Sequence, residues 1–184
     1  RLVPIALVCS FVSGLVLGAI WGLLPLYAEA RGFSLQDIGT YVSLVVAGGM
    51  VLQWPLGHLA DRIDRRLALA LISAALALVA AAILLLPTLD LPKALALAFV
   101  FGGASFALYP IAVAHLVDYV EPSELLSASS TVLLLHGLGS AIGPTAAGAL
   151  MSGGQPGLLF AWFVALGALL AVYAIYRYTR EKLE

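Results

Sequence analysis

Long apolar runs, interrupted at similar intervals by short polar turns, set the pattern of this chain. A membrane-crossing helix needs roughly 20 mostly apolar residues. Cutting the sequence at its charges and turn residues leaves six such stretches: about Val3–Ala28, Ile38–Gly57, Leu67–Pro87, Lys93–Val117, Leu125–Met151 and Gly157–Tyr176. Local signals agree. Ser34 precedes Asp37 by a capping-box spacing just before the second span. Asp90 with Pro92 opens the fourth span and Pro156 the sixth, since proline suits a first helical turn. Tyr27, Trp162 and Tyr176 fall near predicted interfaces, where amphipathic rings settle. The pattern predicts an all-α membrane protein in which residues 1–184 form a single six-helix transmembrane domain.

Composition makes the bilayer the only workable solvent. The chain is 62% hydrophobic and 10% charged, against about 25% charged residues in an ordinary soluble domain. Its nine Lys and Arg form no extended basic face, which argues against a nucleic-acid partner. The single cysteine, Cys9, rules out an intramolecular disulfide and reads as a small buried hydrophobe. The three histidines lie far apart and no Cys pair exists, so neither a metal site nor a cofactor is expected. Arg1 stands at the edge of the first span, with no initiator Met and no signal-peptide cleavage pattern after it. The expectation is a fragment of a longer protein.

Lys and Arg then give the chain an orientation. Arg1, Arg62, Arg65, Arg66, Arg177, Arg180 and Lys182 fall on one side, and only Arg31 and Lys93 on the other. The positive-inside bias predicts both termini in the cytoplasm. The acidic loop from Asp118 to Glu124 shares that side and offers partners to the arginines.

The spans echo one another. Gly18 to Pro25 (Gly-Ala-Ile-Trp-Gly-Leu-Leu-Pro) resembles Gly103 to Pro110 (Gly-Ala-Ser-Phe-Ala-Leu-Tyr-Pro), and Pro55 in span two answers Pro144 in span five. With three spans per copy, the copies run in opposite directions, the three-plus-three inverted repeat of many transporters. Gly14, Gly18 and Gly22 recur on one face of span one, where a neighbouring helix can approach closely. Span five carries Gly139, Gly143 and Pro144. A proline inside a helix lacks the i−4 donor and predicts a bend, which as a gate or as a static kink fits the sequence equally.

No Asp, Glu, Lys or Arg lies deep in any span, the usual mark of an ion pathway. The polar residues at depth are milder: Trp21 in span one, Gln53 in span two, Ser105 and Tyr109 in span four, and His136 near the middle of span five. Trp21, Gln53, Tyr109 and His136 are the candidates to line a solute pathway. His136 has an unperturbed pKa near 6.5, and either titrates or bonds a neighbouring helix without changing charge.

The run from Gly57 to Arg66, five charges in its last six residues, resembles the Gly-x-x-x-Asp-Arg/Lys-x-Gly-Arg-Arg/Lys loop signature of the major facilitator superfamily. Gly57, Asp61, Arg62, Arg65 and Arg66 match, and Asp64 replaces the usual glycine. Gln53-Trp54-Pro55-Leu56-Gly57, Leu108-Tyr109-Pro110 and Gly139-Ser140-Ala141-Ile142-Gly143-Pro144 are similar to the C-terminal half of bacterial permeases of that superfamily. The glycine-proline pattern is also similar to an antiporter motif of the N-terminal half, so either half remains open. The resemblance implies one six-helix half of an alternating-access transporter in a bacterial inner membrane. Its partners would be the lipid bilayer, a missing second half and a small-molecule solute. It also implies a latch in which Asp61 caps the start of span five and Arg62, Arg65 or Arg66 meets Glu121 or Glu124. A positive-inside anchor without switching is the alternative role for the loop.

Two other functions fit the sequence less well. A six-helix channel or scaffold lacks a visible selectivity filter or charged ring. A rhomboid-like serine protease with Ser105 as nucleophile lacks the activating histidine in span six. No enzymatic activity is expected.

Overall fold

The computed structural model describes residues 3–86 and 90–181. Arg1, Pro87 and Lys182, which enter the reading above as charges or a span boundary, lie outside the described residues. The chain forms six helices: α1 (Pro4–Ala30), α2 (Leu35–Arg62), α3 (Arg65–Leu85), α4 (Leu91–Tyr119), α5 (Leu125–Met151) and α6 (Leu158–Glu181). All six are long and apolar enough to cross a membrane. Ser34 caps α2 by accepting the Asp37 N–H, and its hydroxyl donates to the Asp37 carboxylate at 2.6 Å. Asp90 precedes α4, with Lys93 3.2 Å away.

Boundaries moved most at the polar loop. Helix α2 continues through Gly57 to Arg62, and α3 begins at Arg65, so the connection shrinks to Ile63 and Asp64. Once beyond the apolar core the backbone keeps its helical hydrogen bonds, and the polar side chains reach water from the last turns. Asp64 is the N-cap of α3, its carboxylate accepting the Arg66 N–H at 2.8 Å. Its φ of −56° is ordinary for a side-chain-bearing residue. This turn therefore needs no glycine, and aspartate supplies a cap that glycine lacks.

The packing is that of an inverted repeat. Helix α1 packs most extensively on α5, α2 on α4, and α3 on α6. Exchanging helices 1–3 with 4–6 turns the α1–α5 pair into α4–α2 and leaves α3–α6 unchanged. The secondary contacts obey the same exchange: α3–α4 answers α1–α6, and α1–α2 answers α4–α5. The α1–α5 and α2–α4 crossings are built on glycine. On α1, a Cβ at Gly14 or Gly18 would overlap the backbone carbonyls of His136 or Ser140, and on α5, Gly139 and Gly143 face Phe11 and Leu15. On the α2–α4 crossing, Gly48 meets the Phe99 carbonyl and Gly102 the Val45 carbonyl. In lipid, where apolar burial offers little drive between helices, this close backbone approach supplies the van der Waals attraction.

The two ends of the bundle differ. At one end, called here the basic end, lie Arg62, Arg65, Arg66, Arg177 and Arg180. At the other, rings interlock: Tyr27 meets Phe160 at 4.7 Å and Tyr41 at 6.5 Å, Phe101 meets Phe163 at 5.0 Å, and Phe33 meets Tyr41 at 5.7 Å. Arg31 donates to the Tyr27 hydroxyl at 2.9 Å. Such ring pairs contribute about 0.5–1.5 kcal/mol each beyond area burial.

Candidate functional site

Two polar groupings stand out, one at mid-depth and one at the basic end. The mid-depth group is assembled by the α1–α5 crossing. Because Gly14 lets α1 lie directly on the backbone at His136, the neighbouring Ser13 comes within reach of that imidazole. Ser13 Oγ lies 2.9 Å from His136 Nδ1, and the same hydroxyl donates to the Ser10 carbonyl at 2.8 Å. Helix α4 adds Tyr109, whose ring centroid is 4.4 Å from that of His136. Ser13 is fully buried, whereas His136 and Tyr109 are half-buried. One turn away on α4, Phe106 meets Trp21 edge-on at 6.0 Å, and Trp21 is 56% exposed. The site is a hydrogen-bonding imidazole among rings, with no fixed charge.

Of the four pathway candidates, the structure brings Tyr109 and His136 together and sets Trp21 beside them through Phe106. Gln53 goes elsewhere. It lines a recess of about 440 Å³ on α2 with Met50, Trp54, Gly57, His58 and Asp61, where Trp54 and His58 stack at 5.9 Å, 2° from parallel. Ser105 is fully buried and donates to the Phe101 carbonyl of its own helix at 2.8 Å. Ser13 escaped the sequence reading. The available signal was two serines, at 10 and 13, in an otherwise apolar first span.

The basic-end group joins the α2–α3 turn to the last turn of α4. Arg65 pairs with Asp61 at 3.0 Å and also donates through Nε to Asp118. The three side chains are 23%, 60% and 45% exposed respectively, so each pair is worth at most about 1 kcal/mol. A contact of that size breaks and reforms readily. Arg66 is different: it is 8% exposed, donates to the Tyr119 hydroxyl at 2.9 Å and lies 5.3 Å from that ring's centroid. His115, also buried, meets Tyr119 at 4.8 Å. Asp61, Arg65, His115, Asp118 and Tyr119 line a cleft of about 440 Å³.

The expected capping of span five by Asp61 is not the arrangement found. The Asp61 carboxylate is placed against Arg65, and the N-cap position of α5 is held by Glu124. The reason is topological: α2 packs on α4 and α5 on α1, so the two helix ends belong to different pairs. Arg65 and Arg66 find Asp118 and Tyr119, on the last turn of α4, ahead of the segment holding Glu121 and Glu124. Of the bend candidates, Gly139 and Gly143 lie in the crossing with α1, and α5 remains helical through Pro144, whose ring faces Gly22.

Six apolar helices in an inverted repeat, with uncharged polar groups at mid-depth and an Asp–Arg–Asp cluster at one end, define an integral membrane protein of transporter architecture. The family model described as Major Facilitator Superfamily matches residues 6–184, and the chain belongs to that superfamily. It is 37% identical over 149 residues to an uncharacterised MFS-type transporter, Ent638_1421, of Enterobacter sp. (strain 638). It is 36% identical over 149 residues to the uncharacterised MFS-type transporter YcaD of Salmonella paratyphi B. Each match covers 81% of this chain and 38% of the relative, so the chain spans well under half the length of these curated relatives. No solved structure matches.

Proposed function

We propose that this chain is one six-helix half of a secondary transporter that moves a small solute by alternating access. The observation that carries this reading is the uneven covering of the helices. In the most apolar 18 residues of each helix, buried positions make up 56% in α1 and α4 and 44% in α3 and α6, but 22% in α2 and 11% in α5. The faces left open on α2 and α5 bear Gln53, Trp54, His58 and Thr131 beside Met50, Leu134 and Leu138. Such mixed faces suit a protein surface better than lipid, and a second six-helix half is the partner that fits them. The solute path then runs between the halves, past Trp21, Tyr109 and His136, with α3 and α6 supporting from outside. The basic end faces the cytoplasm of a bacterial inner membrane, by the bias of arginines.

Asp61 and Gly57 lie on the open side of α2, so the Asp61–Arg65–Asp118 cluster also stands at the seam with the second half. Its role is a latch that holds the cytoplasmic side closed in one state and lets go in the other. Asp61→Asn in the intact protein removes the charge with little change of shape. It should insert at wild-type levels and move solute up to about fivefold more slowly, as loss of about 1 kcal/mol from one state predicts. Wild-type flux in that variant would remove the latch.

A further inference from the structure

We propose that a small enclosed cavity at the end opposite the basic one binds a single halide ion of chloride's class. The cavity is walled by Tyr27 of α1, Arg31 and Phe33 of the following turn, Tyr41 of α2, Ile83 of α3 and Ala94 of α4. None of these residues belongs to either polar grouping described above. The centre of a water-sized sphere has about 10 Å³ to move in, which is room for one such sphere and little more. A halide is only slightly larger than a water, whereas oxyanions such as phosphate and sulfate do not fit.

The side chains around this cavity offer protons and little to receive them. Arg31 Nη1 donates to the Tyr27 hydroxyl at 2.9 Å, so that hydroxyl keeps its own proton to donate. Tyr41 is 1% exposed, and among the described residues its hydroxyl has no hydrogen-bond partner. It lies within electrostatic reach of both Tyr27 and Arg31. A buried hydroxyl left unpaired is costly, and an occupant that accepts its proton removes the cost. Phenols are neutral donors at ordinary pH and guanidinium is a permanent cation, so the donors converge under a positive charge. A water brings two protons of its own, and the side chains of Phe33, Ile83 and Ala94 accept none. A halide only accepts, and its bonds to Arg31 and the phenols are charge-assisted. Of the carboxylates close by in sequence, Asp37 receives the Ser34 hydroxyl at 2.6 Å and Glu29 is exposed to solvent. The Tyr41 ring lies 6.5 Å from Tyr27 and 5.7 Å from Phe33, so the bound ion ties α1 to α2 where the rings interlock.

The test is chloride NMR of the intact protein in detergent, with SDS unfolding read alongside. Wild-type protein should broaden the chloride line, and added bromide should reverse the broadening. A ligand held by the folded state alone stabilises it, so unfolding should need more SDS in chloride than in sulfate of equal ionic strength. Tyr41→Phe keeps the ring and removes the donor. It should weaken chloride binding about tenfold or more, the loss of one charge-assisted hydrogen bond. Arg31→Gln, at a half-buried position, should do the same and supplies the reading if Tyr41→Phe does not insert. Equal SDS resistance in chloride and sulfate overturns the proposal, as does broadening that survives unchanged in both variants, which places the ion elsewhere. Neither readout involves solute or flux, so failure here leaves the transporter reading intact.

Discussion

Gly14→Ala is the sharpest probe of how the six helices hold together. The Cβ added there would overlap the His136 carbonyl and come within 2.9 Å of the Ser140 nitrogen. An ordinary carbon–oxygen approach is about 3.3 Å, so α1 and α5 must part by roughly 1 Å at their crossing. The opposing atoms are backbone and have no rotamer to change. Overpacking of this kind costs about 1–3 kcal/mol, and an immobile partner puts Gly14→Ala at the upper end. At 1.4 kcal/mol per decade, that shifts the folded-to-unfolded ratio by roughly 100-fold. Gly137, on the same α5, has nothing within 4 Å of an added Cβ. Gly137→Ala should therefore leave stability unchanged or raise it by up to ~1 kcal/mol through helix propensity. Unfolding of the intact protein in mixed micelles by graded SDS reads both variants. Wild-type resistance of Gly14→Ala, or equal losses in the two variants, would refute the backbone-contact reasoning.

Arg66→Ala removes the hydrogen bond and ring contact with Tyr119 from a nearly buried site. Loss of a charge-assisted bond predicts a fall of about 1.5–3 kcal/mol in the same SDS titration, whereas Arg65→Ala, which breaks two solvent-screened pairs, should cost less, at most about 2 kcal/mol. Ser34→Ala removes the α2 cap and should cost about 1 kcal/mol, visible as faster amide hydrogen exchange in residues 35–38 with little change elsewhere.

Much of this architecture was legible in the sequence because lipid imposes a simple rule: each crossing must be a long apolar helix. The six spans follow from that alone, and the Gly14–Gly18 stripe announced a close crossing. What the stripe did not reveal was its partner. That α1 meets α5, with Gly139 and Gly143 answering it, depends on tertiary pairing. The same ignorance misplaced the Asp61 cap, since Asp61 and the start of α5 share a membrane side but belong to different helix pairs. Gln53 was grouped with Tyr109 and His136 on depth alone; the face of α2 that carries it looks away from them into its own recess. Ser13 was overlooked because a serine in a helix commonly bonds its own backbone, as Ser105 does. Only the crossing at Gly14 gives Ser13 a second partner.

On the transporter reading proposed above, the face bearing Trp21, Tyr109 and His136 lines a path open to each side of the membrane in turn. Trp21→Cys in a Cys9→Ser background of the intact protein tests it, with a membrane-impermeant maleimide added to sealed vesicles of either orientation. Labelling from both faces is expected, with Asp61→Asn shifting the balance between them. Labelling from one face alone, or from neither, would contradict it.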